Sequence, residues 1–256
     1  MSLIGSNNTT RSNAGSGKRL WLTLGLPPVI FLVVIVLASV YFGAVARAAG
    51  TAVTSTTISE QVTQATPILL LGVQLALLLL LWRTLRAEGV SLPDMGWRVA
   101  RGQQLWWEVG LGAVIGVGTA VLYFTVLSPL MEMAQRTIGD YVPAGELFPA
   151  LSGSILPFFL ANVLLAPFVE ENLYRGYGLR GLYGRFQPPL AIFISCIFFG
   201  LLHWTGGFWY VLLTGFVAGG IFAGLVAKRG NIIAAFAAHL ALNLVEFLYI
   251  WLWLSA

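Results

Sequence analysis

A chain of 256 residues that is 58% hydrophobic and 9% charged, with a mean hydropathy of +0.84, lies far from soluble domains, which carry about 25% charged residues. Apolar stretches long enough to cross about 30 Å of hydrocarbon recur along its whole length, which excludes a soluble globule and points to one membrane-embedded helical bundle. The formal charge of +4 is too small to mark a nucleic-acid surface, and a single cysteine, Cys196, excludes an intramolecular disulfide and any CxxC metal site.

Taken in order, residues Met1 to Arg19 are rich in Ser, Asn, Gly and Thr and read as a disordered tail. The run from Leu20 to about Val45 is too long for a signal-peptide core and reads as the first membrane helix, bent near Pro27 and Pro28. A Thr/Ser-rich loop is expected over Ala49 to Thr66. The second span, Pro67 to Trp82, leads into a basic connector with Arg83, Arg86, Arg98 and Arg101. Trp106 and Trp107 open the third span, at the headgroup depth that indoles prefer, and it is expected to end near Pro129. An acidic loop, Glu132 to Glu146, precedes a fourth span from about Ile155. The fifth is expected over Pro188 to about Trp204, the sixth over Phe208 to Ala227, and the seventh from Asn231 to about Leu254.

The expected fold is therefore all-α, a polytopic membrane bundle of about seven transmembrane helices. The first three helices and their loops occupy 20–154, and the region 155–256 is expected to hold the catalytic core. Basic and non-basic connectors alternate along the chain, so the positive-inside rule places the N-terminus, with its tail 1–19, in the cytoplasm. Short loops and a compact chain favour a prokaryotic plasma membrane over the endoplasmic reticulum.

Charge inside the spans is the informative part. Glu170 and Glu171 follow the apolar run Ile155 to Val169, where an unpaired charge costs several kcal/mol. On a helix Glu171 and Arg175 share a face as an i,i+4 pair, which leaves Glu170 with no local partner. The fourth and fifth spans are joined by a turn at Phe186 to Pro189. Glu170 lies about 17 residues before its middle and His203 about 16 after it, so the two come level, about 25 Å along their helices. Since Arg180 and Arg185 keep the end of the fourth helix in water, the expected depth is about 15 Å below the cytoplasmic surface. His239 lies about ten residues past Arg229, at a similar depth, and Asn243 shares its face one turn on. Trp204 and Trp209 pull the other way, because as an outer aromatic belt they would set His203 near the far interface. Hairpin register outweighs that signal.

A carboxylate in an apolar site holds its proton more tightly, so Glu170 could serve as general base on a water shared with His203. His239 and Asn243 could donate hydrogen bonds to the oxyanion of an amide-hydrolysis intermediate. Neither GxSxG nor HExxH is present, and Cys196 lies about 10 Å from His203 along their helix, too far for activation. Three other readings stay open: zinc held by Glu170, His203 and His239, a non-catalytic immunity or scaffold protein that uses the cluster as polar glue, and a proton-coupled transporter with Glu170 as carrier and Asn162 and Glu246 as candidates for its outer path.

The spacing of these residues resembles that of a known family. EENLYR (Glu170 to Arg175) looks like its EExxxR motif, FGLLH (Phe199 to His203) like FxxxH, and HLALN (His239 to Asn243) like HxxxN, in the order found in the CAAX protease and bacteriocin-processing family, also called the Abi or type II CAAX prenyl endopeptidase family. The resemblance covers roughly Ile155 to Val245. It implies a glutamate-dependent intramembrane endopeptidase with Glu170 as base beside His203, His239 and Asn243 as oxyanion site, and Glu171 with Arg175 as a supporting pair. The implied partners are membrane lipid and a membrane-associated peptide or lipidated protein, with prenylated CaaX-like peptides as the first substrate to try. No cofactor is implied, and no nucleic acid.

Overall fold

The computed structural model describes residues 14–99, 102, 104–144 and 154–254, without the side chains of 14–16, 253 and 254. Among these residues the chain is helical, with no strand. Helix α1 (Ala14–Ala48) passes through Pro27 and Pro28 as one helix and begins inside the stretch expected to be tail; residues 1–13 of that tail lie outside the described residues.

Helix α2 (Ser55–Glu88) starts a dozen residues before the expected span. Thr54 is extended and its hydroxyl accepts the Thr57 N–H at 3.1 Å, so the Thr/Ser-rich stretch that reads as loop is the cap and first turns of a helix. Helix α3 (Leu105–Thr137) likewise runs past Pro129. A π-helical turn, Tyr123–Leu127, lies directly before Pro129, so the helix passes the proline through one widened turn. Glu132 and Arg136 are thus a helical i,i+4 pair and not part of a loop. Glu146 lies outside the described residues.

Helix α4 (Ile155–Tyr183) and α5 (Pro188–Leu202) form the expected hairpin, followed by α6 (Phe208–Arg229) and α7 (Ile233–Tyr249, continued by a π-helical turn Ile250–Leu254). Six of the seven are long and apolar enough to cross a membrane. The exception is α5, whose 15 residues cover about 22 Å against about 30 Å of hydrocarbon. Composition and helices together define an integral, multi-pass membrane protein. Its polarity is inverted relative to a soluble fold: Trp106 is 81% and Val114 72% exposed on the outside, while Arg175 is fully buried.

Small residues set the packing. A Cβ on Gly112 would stand 2.3 Å from the Ala234 carbonyl oxygen and one on Gly116 2.1 Å from that of Ala238, so α3 and α7 touch backbone to backbone. Leu24 and Leu20 of α1 fill the space over Gly178 and Gly181 of α4. The buried Thr23 and Thr84 hydroxyls, 3.2 Å apart, join α1 to α2.

The two ends of the bundle differ in charge. At the end carrying the α4–α5 turn gather Lys18 and Arg19, Arg83 and Arg86, Arg98, Arg180 and Arg185, and Lys228 and Arg229, against Glu88, Asp94 and Glu108. Cross-links hold this end together: Arg19 with Glu88 at 3.5 Å, the Tyr177 hydroxyl on Glu88 at 2.9 Å, Arg180 on the Asp94 carbonyl at 3.1 Å, and the Arg229 guanidinium on Glu108 at 3.0 Å. The opposite end carries Arg47 and Arg136 against Glu60, Glu132 and Asp140 among the described residues. There Asp140 accepts the N–H groups of Phe208 at 2.8 Å and Trp209 at 3.3 Å, and the Tyr141 hydroxyl donates to the Trp204 carbonyl.

Candidate active site

The middle of α4 is unusual backbone. Two π-helical stretches, Phe159–Leu165 and Glu171–Leu179, flank a short α-segment, Ala166–Glu170, that has Pro167 in its first turn. Such widened turns change which side chains share a face, and they recur at functional sites. Here the change falls between the two adjacent glutamates, which point to different partners.

Glu170 ends the α-segment and is 3% exposed. One of its carboxylate oxygens accepts a hydrogen bond from the Gln74 side-chain amide at 3.0 Å. The other has no hydrogen-bond partner among the described residues and lies 4.0 Å from His203 Nε2. That is too long for a direct bond and suits two groups that hold one water between them. His203 Nδ1 lies 2.8 Å from the Phe199 carbonyl oxygen, which can only accept, so Nδ1 carries the proton and Nε2 is presented to Glu170. Glu170 and His203 thus come level, as hairpin register requires. His203 nevertheless also ends its helix, at the entry to the Trp204–Gly206 turn. The aromatic-belt signal and the register signal describe the same short helix.

Glu171 points the other way and is fully buried. Its Oε1 faces Arg175 Nη1 at 3.2 Å and His239 Nδ1 at 2.9 Å. An ionised carboxylate only accepts, so His239 donates from Nδ1, and its Nε2 can donate only if the ring carries both protons. Arg175 also donates to the Gly219 carbonyl at 3.1 Å and lies 3.9 Å over the Phe199 ring. Phe199 is the mechanical centre, its centroid 4.9 Å from the His203 ring and 5.8 Å from that of His239, while Phe222 stacks on His239 at 5.0 Å and 22°. Asn243 donates one amide proton to the Asn162 carbonyl at 2.7 Å, which leaves its second for the cavity.

Glu170, His203, His239 and Asn243 all line one cavity of about 460 Å³. Asn162 and Glu246 line it as well, but among the described residues none of the basic end does. Beyond Glu170 the molecule is closed: Leu173, Tyr174, Leu179 and Leu182 are fully buried, and Trp97 packs between Phe168 and Phe236 while its indole N–H donates to Asn172 at 2.7 Å. Among the described residues no group of three or more His, Cys, Asp or Glu side chains is arranged to hold a metal ion, and Glu170, His203 and His239 form no such group. Cys196 is a buried core residue.

Two contributors have weak signals in the sequence. Gln74 is a lone amide inside the apolar run of the second span, and its partner is 96 residues away. Asn162 acts through its backbone carbonyl, which no side-chain pattern reports.

The described residues form a polytopic helical bundle with a buried Glu–His pair beside a carboxylate-held histidine and an asparagine. Residues 152–245 match the family model described as type II CAAX prenyl endopeptidase Rce1-like, the family that the three motifs resemble. The matched stretch takes in the α4–α5 hairpin, α6 and α7 as far as Val245, and leaves out α1 to α3. No curated protein and no solved structure matches the chain.

Proposed function

We propose that this protein hydrolyses a peptide bond of a membrane-associated substrate with a water activated by Glu170. The observation that carries this reading is the asymmetric environment of that carboxylate. One oxygen is anchored by Gln74, and the other is unpartnered at the floor of the cavity, 4.0 Å from His203 Nε2.

Glu170 takes a proton from the water while the oxygen attacks the carbonyl carbon of the scissile amide. The proton then passes to the amide nitrogen as the C–N bond breaks, so the carboxylate returns to its starting state. His203 orients the same water. The developing oxyanion is met by the free amide proton of Asn243 and, when its ring carries both protons, by Nε2 of His239, whose Nδ1–H is held by Glu171. Glu171 and Arg175 position that donor without touching substrate. The reaction uses no metal step, and prenylated CaaX-like peptides are the first substrates to offer because of the family match. A carrier function is disfavoured by a cavity that reaches Glu170 from one end only.

The test is cleavage of a quenched fluorescent farnesylated CaaX peptide by the purified protein in detergent, against Glu170→Gln, each with and without a zinc chelator. Glu170→Gln keeps shape and hydrogen bonding, and should lose about 10²- to 10⁴-fold in rate while its thermal unfolding stays unchanged. Loss of wild-type activity with chelator would replace the water mechanism by a zinc one. Equal cleavage by both proteins would remove Glu170 from the chemistry.

A further inference from the structure

The direction in which the cavity opens, set against the charge of the two ends, bears on the kind of substrate it serves. Its lining runs from one end of the helices to just past their middles. Thr66 lies near the start of α2, Leu127 near the end of α3, Phe158 at the start of α4, Leu213 at the start of α6 and Ile250 at the end of α7, with Thr205 in the turn after α5. Every one of these belongs to the end remote from the α4–α5 turn. The deepest lining groups are Gln74, Glu170, Phe222 and His239, and past them toward the turn the interior is filled.

The filled end is the basic one. Lys and Arg outnumber acids there, whereas the described residues at the mouth end carry more acids than bases. Lysine and arginine near the ends of transmembrane helices are retained on the cytoplasmic side. Arg83, Arg86, Arg98, Arg185 and Lys228 all stand in short connectors or within a few residues of helix ends, where that bias acts.

From this we infer that the cavity opens to the extracytoplasmic side, and that its substrate is a peptide segment presented from that face, such as part of an exported or membrane-anchored peptide. That the occupant is a peptide rests on the protease reading above; the direction of the mouth does not. A detergent assay exposes both faces and is blind to the difference.

Single cysteines read the direction independently of activity. Thr51→Cys, in the α1–α2 loop, and Thr205→Cys, at the mouth, lie at the inferred outer end, and Gln187→Cys, in the α4–α5 turn, at the inner one. All three positions are exposed and uncharged, so the orientation signal is preserved, and the wild-type chain with its buried Cys196 sets the background. In intact cells expressing the full chain, a membrane-impermeant maleimide should label Thr51→Cys and Thr205→Cys, and should label Gln187→Cys only after permeabilisation. The reverse pattern, or equal labelling of both ends, overturns the inference. A second arm supplies to intact cells an impermeant form of a peptide that the purified protein cleaves in detergent. Cleavage by wild type and not by Glu170→Gln is expected, and a peptide cut in detergent but never by intact cells overturns entry from that face. Should the labelling come out as expected while no peptide is cut under either condition, the protease reading fails and the outward mouth stands.

Discussion

At the scale of single residues, the arrangement separates the group that would react from the groups that hold it. Gln74 is the plainest holder. Its amide fixes one oxygen of Glu170 and makes no other hydrogen bond among the described residues, so Gln74→Ala should leave the helices assembled and let the carboxylate swing. Misplacing a reacting group by about 1 Å can cost about 10²-fold in rate, and a loss of that order in kcat, with KM and thermal unfolding near wild type, is the expected outcome. A change in KM alone would mean that Gln74 meets substrate instead. This residue also marks the limit of what the sequence discloses. The level placement of Glu170 and His203 is legible because two antiparallel helices leaving one turn must stay in register, and Glu171 with Arg175 because i,i+4 neighbours share a face. The bonds from Gln74 to Glu170 and from His239 to Glu171 join helices far apart in the chain, and no local spacing encodes them.

At the scale of elements, the backbone contact of α3 with α7 is what seats His239. A side chain at Gly116 would meet the Ala238 carbonyl, one residue before the histidine, while Gly118 has open space around its Cβ position. Gly116→Leu should therefore push α3 off α7, lower thermal stability and abolish cleavage, and Gly118→Leu on the same helix should be neutral; cleavage rates and melting curves for both variants decide this. The mouth has its own clasp. Gly207 has φ of +100° and its Cβ position would collide with the Asp140 carboxylate, so a glycine lets that carboxylate cap the start of α6 from another loop. Burial pushes the Asp140 carboxyl up, but the Phe208, Trp209 and Tyr141 N–H groups and the Gln135 amide outweigh it and hold it below the usual carboxylate range. A depressed value means that the stabilisation is fully present above the unfolded-chain value near about 3.9 and is lost as pH falls through the lower folded one. Asp140→Ala should cost about 1 kcal/mol at neutral pH, as loss of a cap does, and the gap to wild type should close in strong acid, as read from melting temperature against pH. Most element boundaries follow from apolar length. The early start of α2 and the long α3 do not, because a Thr cap reads as loop and Pro129 reads as a stop until the widened turn before it is known.

At the scale of the whole molecule, the family match ends where the site does not. Residues 152–245 contain the three motifs, but Gln74 comes from α2, and α1 seats Leu20 and Leu24 on the glycines beside the π-helical part of α4. Without α1 and α2 the cavity would lose one wall and Glu170 its anchor, so the matched stretch expressed alone should be inactive. Covalent continuity is a different matter. Helices that insert independently associate afterwards through packing and interhelical hydrogen bonds, and the α1–α2 contact supplies both, through the Thr23–Thr84 pair and the close approach of Gly43 to Ile58. A chain cut in the short loop between Ala48 and Ser55 and expressed as two fragments, 1–52 and 53–256, should therefore reassemble, copurify through a tag on either piece, and cleave the test peptide at near the intact rate, with 53–256 alone markedly less stable. Activity from 53–256 without its partner would mean that α1 is only an anchor, and that α2 to α7 suffice to hold Glu170 against its water.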